Sequence, residues 1–201
     1  MEMSPQMERQ YLSSPVRKVL YNDFLSYNTI TGIASGATVN SLLTPSLSRL
    51  RTLYIFPFIT KSANGTLAIA PMNSPWDSAP GTCSPYSYIT NLNVQLSGIN
   101  IYLENKSYRF QQFLEETRPK NSINGGLQMG LSSGLVNQMF YDSSYPVVTI
   151  DLSRHPQESD DIAKSVLVSF TNQASKAMDY ICIIEYEKQL NLNVEVGAIV
   201  I

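Results

Sequence analysis

Few residues in this chain carry side chains suited to chemistry, and the one run that combines them is "DLSRH", with Asp151, Ser153 and His155. Hydroxyl, imidazole and carboxylate are the parts of a nucleophilic triad, in which the imidazole takes the hydroxyl proton and the carboxylate orients the imidazole. The three groups must converge in space, and close spacing at the end of a strand does not bring them together. His155, the only histidine, therefore reads as a surface residue in a loop that starts with Pro156. A cupin-type metal site needs several histidines, so no metal is expected.

The other candidates are weaker. "GGLQMGLSSG" (125–134) is glycine-rich, but no Gly-Lys-Ser/Thr follows it and no parallel strand-to-helix unit surrounds it, so it is not read as a phosphate loop. Its spaced apolar residues, Met129, Leu131 and Leu135, read instead as contacts made by a long loop. Glu115 and Glu116 are expected on the exposed side of a helix, and Glu158, Asp160 and Asp161 in a solvated acidic turn. Cys83 and Cys182 have no metal-ligand spacing and form no disulfide framework, and Cys182 reads as a small buried hydrophobe. Two sequons, at Asn64 and Asn105, carry little weight without a signal peptide. Trp76, Tyr86 and Tyr88, near a Pro/Ser-rich loop, could stack on sugar rings. No cofactor is expected, and the chain does not read as an enzyme.

Composition points the same way. Charged residues make up only 15% and hydrophobic residues 43%, with 12 Tyr, a surface suited to meeting other protein. The net charge of -2 lacks the basic stripe of a nucleic-acid binder, and Arg9, Arg17 and Lys18 near the start are balanced by Glu2 and Glu8. No stretch has the length of a membrane span or of a signal-peptide core. A soluble chain made inside the cell is expected.

The elements that would position these residues are mostly strands. Strand signals occur at 16–30, broken by Asn22-Asp23 into one bent strand or two, and at 51–61, where Pro57 suggests an edge or bulge. Further runs lie at 87–96, with a tight turn at Ser97-Gly98, and at 147–153, 164–172 and 178–187. The last run, from Leu190 to the end, alternates until Gly197. One segment, "SYRFQQFLEETRP", predicts a helix with Phe110, Phe113 and Leu114 on one face, Ser107 as N-cap and Pro119 as its stop. A weaker turn is expected near 158–163, and long irregular stretches at 62–87 and 119–146 suggest contact loops. The pattern predicts an all-β fold: an antiparallel β-sandwich, an eight-stranded jelly roll with one short helix and long loops. Residues 1–15 form an N-terminal extension and 16–201 a single jelly-roll domain.

Several strings occur in an order that carries a family likeness: "LSRLRTLYIFPFI", "LNVQLSGINIY", "FQQFLEE", "NSINGGLQMGLSSGL", "VTIDLSR", "KSVLVSFTNQ" and "DYICIIEYEKQLNLNVEVGAIV". Together they resemble the C-terminal jelly-roll half of hexon-like major capsid proteins, the double-jelly-roll lineage of adenovirus-like viruses. The likeness is greatest to those of Polinton or Maverick elements and adintovirus-like DNA viruses. The resemblance implies a structural virion protein, made in the host cell interior, that assembles with itself as trimers and with other capsid proteins into an icosahedral shell. It implies no catalytic residues and no sequence-specific nucleic-acid contact. Family members carry two jelly rolls, whereas this length suits one, so the chain is expected to be half of a longer protein or a penton or minor capsid relative. In a jelly roll the last strand lies beside the first. Leu190 to Val196 are therefore expected to face the core, with Gly197 at a bulge or bend. Met129, Leu131, Leu135, Ile199 and Ile201 are the expected subunit contacts. The other reading is a carbohydrate- or receptor-binding jelly roll, lectin-like or fibre-knob-like.

Overall fold

The computed structural model describes residues 16–60, 87–117, 137–143, 146–154, 162–193 and 198–200. Ten strands lie in two antiparallel sheets. They are β1 (Val16–Ile33), β2 (Thr38–Leu47), β3 (Leu50–Ile59), β4 (Ile89–Leu96), β5 (Ile99–Asn100), β6 (Lys106–Tyr108), β7 (Val148–Asp151), β8 (Lys164–Asn172), β9 (Met178–Asn193) and β10 (Ala198–Val200). One sheet has the order β1-β9-β3-β7 with β10 also on β9, and the other β2-β8-β4-β5 with β6 also on β4. β1 pairs with β9, β2 with β8, β3 with β7, and β4 with β5 and β6. These nested pairs are one long hairpin, rolled so that its arms alternate between the sheets, which is the jelly-roll topology.

The tip of that hairpin is the Ser97-Gly98 turn. Both residues have positive φ, 50° and 87°, the two-residue turn whose twist matches the flanking strands and which glycine enters without strain. The core lies between the sheets because β8 and the inner half of β9 alternate, and β3 and β4 do so in part. Tyr180, Cys182 and Ile184 of β9, Leu53 and Ile55 of β3, and Val166, Val168 and Phe170 of β8 are all almost fully buried. Phe170 meets Tyr180 edge to face at 4.8 Å across the gap. Burial pushes the Cys182 thiol up to about 12, so it is an inert core residue, as its place in an apolar strand suggested.

Several local expectations change. β1 runs through Asn22-Asp23 unbroken, and its register shifts come later, after Tyr27 and after Ile30. β2 carried no strand expectation: its inward residues, Val39 and Leu43, are buried, but Leu42 points outward and is 60% exposed, which spoils the alternation. Pro57 is tolerated in a central strand because the β3–β7 ladder ends at Ile55, leaving Pro57 paired on the β9 side only.

The predicted helix is α1 (Phe110–Thr117), but Ser107 lies in β6 and does not cap it. The Arg109 backbone N–H donates to Gln112 Oε1 at 3.0 Å, the return half of a capping box. A second short helix, α2 (Gln138–Ser143), and a 3-10 turn (Leu152–Arg154) were not expected. Tyr141 of α2 packs between Phe110 and Phe113, with ring centroids 5.4 and 4.9 Å away.

β9 continues past Tyr186 to Asn193 as a single strand, and β10 pairs back onto its end, Ile199 opposite Leu192. The terminal run is thus the end of β9 plus a short return strand. None of residues 186–192 is fully buried, so Leu190 and Leu192 lie beyond the core they were expected to line. Gly197 is outside the described residues.

Candidate interaction surface

The ladder between β1 and β9 extends well past the second sheet. Opposed residues of an antiparallel pair share a face, so the register assigns every side chain. Leu25 opposes the core residue Ile184, and the same face continues outward through Tyr21 opposite Lys188, Val19 opposite Leu190 and Arg17 opposite Leu192. Among the described residues no strand of the second sheet covers it, and Tyr21 is 39% and Val19 45% exposed. The other face presents Val16, Leu20 and Phe24, which are 47%, 52% and 59% exposed. β1 therefore exposes large apolar side chains on both faces of the ribbon. They are interleaved with Lys18 and Asn22 and, on the second face, lie beside Glu187, Gln189 and Asn191 of β9. Exposed apolar groups of this kind mark contact with another macromolecule.

Polar groups stiffen its base. Glu185, buried on the outer face, accepts from Asn22 Nδ2 at 2.8 Å, Thr52 Oγ1 at 2.7 Å and the Tyr54 hydroxyl at 3.0 Å. Burial and then the Glu185 charge push the Tyr54 phenol up to about 12. Asp23 accepts from the Phe24 N–H at 2.9 Å and the Tyr186 hydroxyl at 3.0 Å, with Lys188 Nζ at 3.7 Å. The Phe24 N–H, followed by the Tyr186 hydroxyl, holds this carboxyl below the usual range.

The triad candidates have structural uses. Asp151 Oδ1 accepts from both the Ser153 N–H, at 3.0 Å, and the Ser153 hydroxyl, at 2.6 Å, a local turn of the type Asp forms readily. His155 is outside the described residues. Glu116 is not on the exposed side of α1 as expected: it is only 4% exposed. It accepts from the Tyr102 hydroxyl at 3.0 Å, the Asp151 N–H at 2.9 Å and Arg154 Nη1 at 2.9 Å. A buried carboxylate needs such partners, and here they tie α1 to β7 and the turn after it. This clamp escaped the sequence reading because its partners are distant in the chain.

A cleft of about 170 Å³ opens at one end of the sandwich, lined by Pro57, Ser87, Tyr88, Tyr108, Tyr141 and Tyr180 among others. The Ser87 and Tyr180 hydroxyls are buried there without hydrogen-bond partners. Tyr88, one of the residues considered for sugar stacking, has a ring face already taken by the Arg109 guanidinium, 4.1 Å from its centroid. Trp76 and Tyr86 are outside the described residues.

Of the expected subunit contacts, Met129, Leu131, Leu135 and Ile201 lie outside the described residues. Ile199 is placed in β10 at the end of the ribbon. The exposed residues of β1 were missed. Their signal was "VRKVLYNDF", whose apolar residues fall on both faces and so follow no clean period of two. Among the described residues no group of His, Cys, Asp and Glu could hold a metal ion, and no helix is long and apolar enough to cross a membrane.

No protein-family model matches the chain, and no curated protein does. Solved structures do. A chain of the Sputnik virophage aligns with 94% of this chain and 39% of its own length, at 16% identity and a TM-score of 0.46. The PBCV-1 protein VP54, fitted into a reconstruction of Sputnik, aligns over 99% of this chain and 55% of its own, at 11% identity and a TM-score of 0.47. A chain of the PBCV-1 virus capsid aligns over 98% of this chain and 54% of its own, at 14% identity and a TM-score of 0.48. The chain thus spans between 39% and 55% of the length of these structures.

Proposed function

We propose that this chain is a structural capsid protein, a jelly roll that assembles with itself as trimers, and with other capsid proteins, into the icosahedral shell of a DNA virus. The observation that carries the reading is the β1–β9 ribbon. Five large apolar side chains on two faces of β1 are 39% to 59% exposed, and contact with a partner would remove them from water. The order of motifs in the sequence, which resembles the hexon-like lineage, supplies the kind of assembly. In this reading the protein is made in the host cell interior and resides in the virion. It acts by burying surface and has no catalytic step. The lineage below the level of a jelly-roll capsid protein, Polinton-like or adintovirus-like, is part of the same proposal, as are the contacts at Met129, Leu131, Leu135, Ile199 and Ile201.

Light scattering on the full chain over a concentration series, with electron microscopy of the same samples, tests it. Trimers or larger closed particles are the expected outcome, and a monomer at every concentration overturns the reading. A carbohydrate- or receptor-binding module is the second reading, favoured by the two unpartnered hydroxyls in the Tyr88 cleft. Saturable hits on a glycan array that Tyr180→Phe weakens would support it, and a blank array removes it.

A further inference from the structure

We propose that the cleft at the end of the sandwich binds a small uncharged ligand, a single aromatic ring bearing an amide, whose amide edge pairs with the Ser87 and Tyr180 hydroxyls. The two hydroxyls carry the argument. Ser87, two residues before β4, is 5% exposed, and Tyr180, in β9, is 1% exposed. Both residues line the cleft, and each hydroxyl is buried without a hydrogen-bond partner. Such groups are costly to bury and few in native proteins. Two in one cleft call for a group that both accepts and donates, because a hydroxyl can do either. An amide does both, its carbonyl accepting from one hydroxyl and its N–H donating to the other.

The remaining lining residues narrow the ligand further. The other buried phenols are already paired: Tyr108 donates to the Thr149 carbonyl at 2.7 Å and accepts from its N–H at 2.9 Å, and Tyr141 donates to the Val147 carbonyl at 2.7 Å. Free polar capacity is thus confined to Ser87 and Tyr180, and a buried pyranose would bring more hydroxyls than these two can satisfy. The cleft of about 170 Å³ is close to the cavity of about 150 Å³ that accepts benzene, so one ring fits. The rings of Tyr108 and Tyr141, with Pro57, Ile89, Pro146 and Val148, give it apolar walls. Among the described lining residues only Arg109 and Asp142 are charged, and both are exposed. No ionised group therefore lies inside to pair with a buried ion, and the ligand must be neutral. Burial alone raises the Tyr180 phenol, consistent with an interior free of charge.

Benzamide is the probe, titrated into the full chain by ligand-observed NMR. Saturable binding is expected, weakened about five-fold by either Ser87→Ala or Tyr180→Phe, the effect of one neutral hydrogen bond. Toluene, which fills the cleft but forgoes both bonds, should bind about twenty-fold more weakly, and benzoate, which would bury a charge, should also bind more weakly. Both variants should melt no lower than wild type, because each removes a hydroxyl with no partner to lose. The proposal is overturned by benzamide that does not saturate, by toluene or benzoate matching it, by variants that bind like wild type, or by variants that melt well below it. Methyl glucoside binding more tightly than benzamide would overturn it in favour of the saccharide, and so would ordered water alone in a crystal soaked with benzamide overturn it. Self-association, measured on the same samples, should not change with benzamide, so this site and the capsid reading fail separately.

Discussion

The two halves of β9 belong to one strand and one ladder, yet they live in different solvents. From Met178 to Ile184 every second residue is buried against the opposite sheet, whereas from Tyr186 to Leu192 none is fully buried. Both halves pair with β1, but the inner half is also laddered with β3, from Met178 to Tyr186, whereas the outer half has only the short β10 opposite Asn191–Asn193 on its other side. The difference is that β3 flanks and the opposite sheet covers the first half, whereas among the described residues neither reaches along the second. The first half is held by the fold of its own chain. The second, with β1 and the short β10 at its end, is a narrow ribbon of a kind that is marginal alone and gains most from a partner.

Substitutions along this strand pair separate the two regimes. Ile184→Ala, which empties a fully buried site, is expected to cost about 2–5 kcal/mol in denaturant unfolding. A cost near zero would mean that the inner half is loosely packed. Next in size is Asn172→Ala at the base of the same region. The Asn172 side chain is buried, donates to the carbonyls of Ile33, Ala34 and Lys176 at 2.9–3.2 Å and accepts from the Ala174 N–H at 2.9 Å. Stranding these groups should cost about 3 kcal/mol.

Alkali gives a smaller effect. The Cys182 thiol is raised from 9.0 to about 12 by burial, so its neutral form contributes stability that is complete below pH 9 and is lost as pH rises toward 12. Between pH 9 and 10 this amounts to about 1 kcal/mol. Cys182→Ala should flatten that slope in a pH series of unfolding curves, and an unchanged slope would move its cause to another buried group such as Tyr54. Phe24→Ser on the ribbon should change subunit stability by no more than about 0.5 kcal/mol while reducing self-association. A large loss of folding stability would show that the ribbon belongs to the core after all. The finest test is Asp23→Asn. The lowered carboxyl contributes stability present above the ordinary carboxylate range and lost as pH falls through its lowered value, so the variant should lose less stability than wild type on acidification.

β8 and the inner part of β9 alternate between core and outside, whereas β3 also buries Thr52 beside Leu53 and β4 buries Asn93 between Leu92 and Val94. Strands whose sequences alternate were legible, and Cys182 could be placed from that pattern alone. β2 was not, because Leu42 faces outward and Thr44-Pro45 reads as a break. The capping role of Gln112 was obscured by Ser107, a better capping residue by type that belongs to β6. Glu116 failed for a different reason. A carboxylate near a helix end is usually solvated, and only the distant Tyr102, Asp151 and Arg154 make its burial affordable. The ribbon lay outside the reach of a pattern argument: apolar residues on both faces signify a strand buried on both sides, and whether one's own chain or another supplies the cover is decided by the length of the opposite sheet.

Asn172 has a consequence in time as well as in energy. Its amide group joins the turn after β8, through Ala174 and Lys176, to the turn between β1 and β2, through Ile33 and Ala34. The first set closes within a few residues of Asn172. The second requires the whole hairpin between the turns to have rolled up, because Ile33 is 139 positions away. Closing so long a loop is slow relative to local contacts. Asn172→Ala should therefore speed unfolding far more than it slows folding, placing this residue among the last to lock as the sandwich shuts.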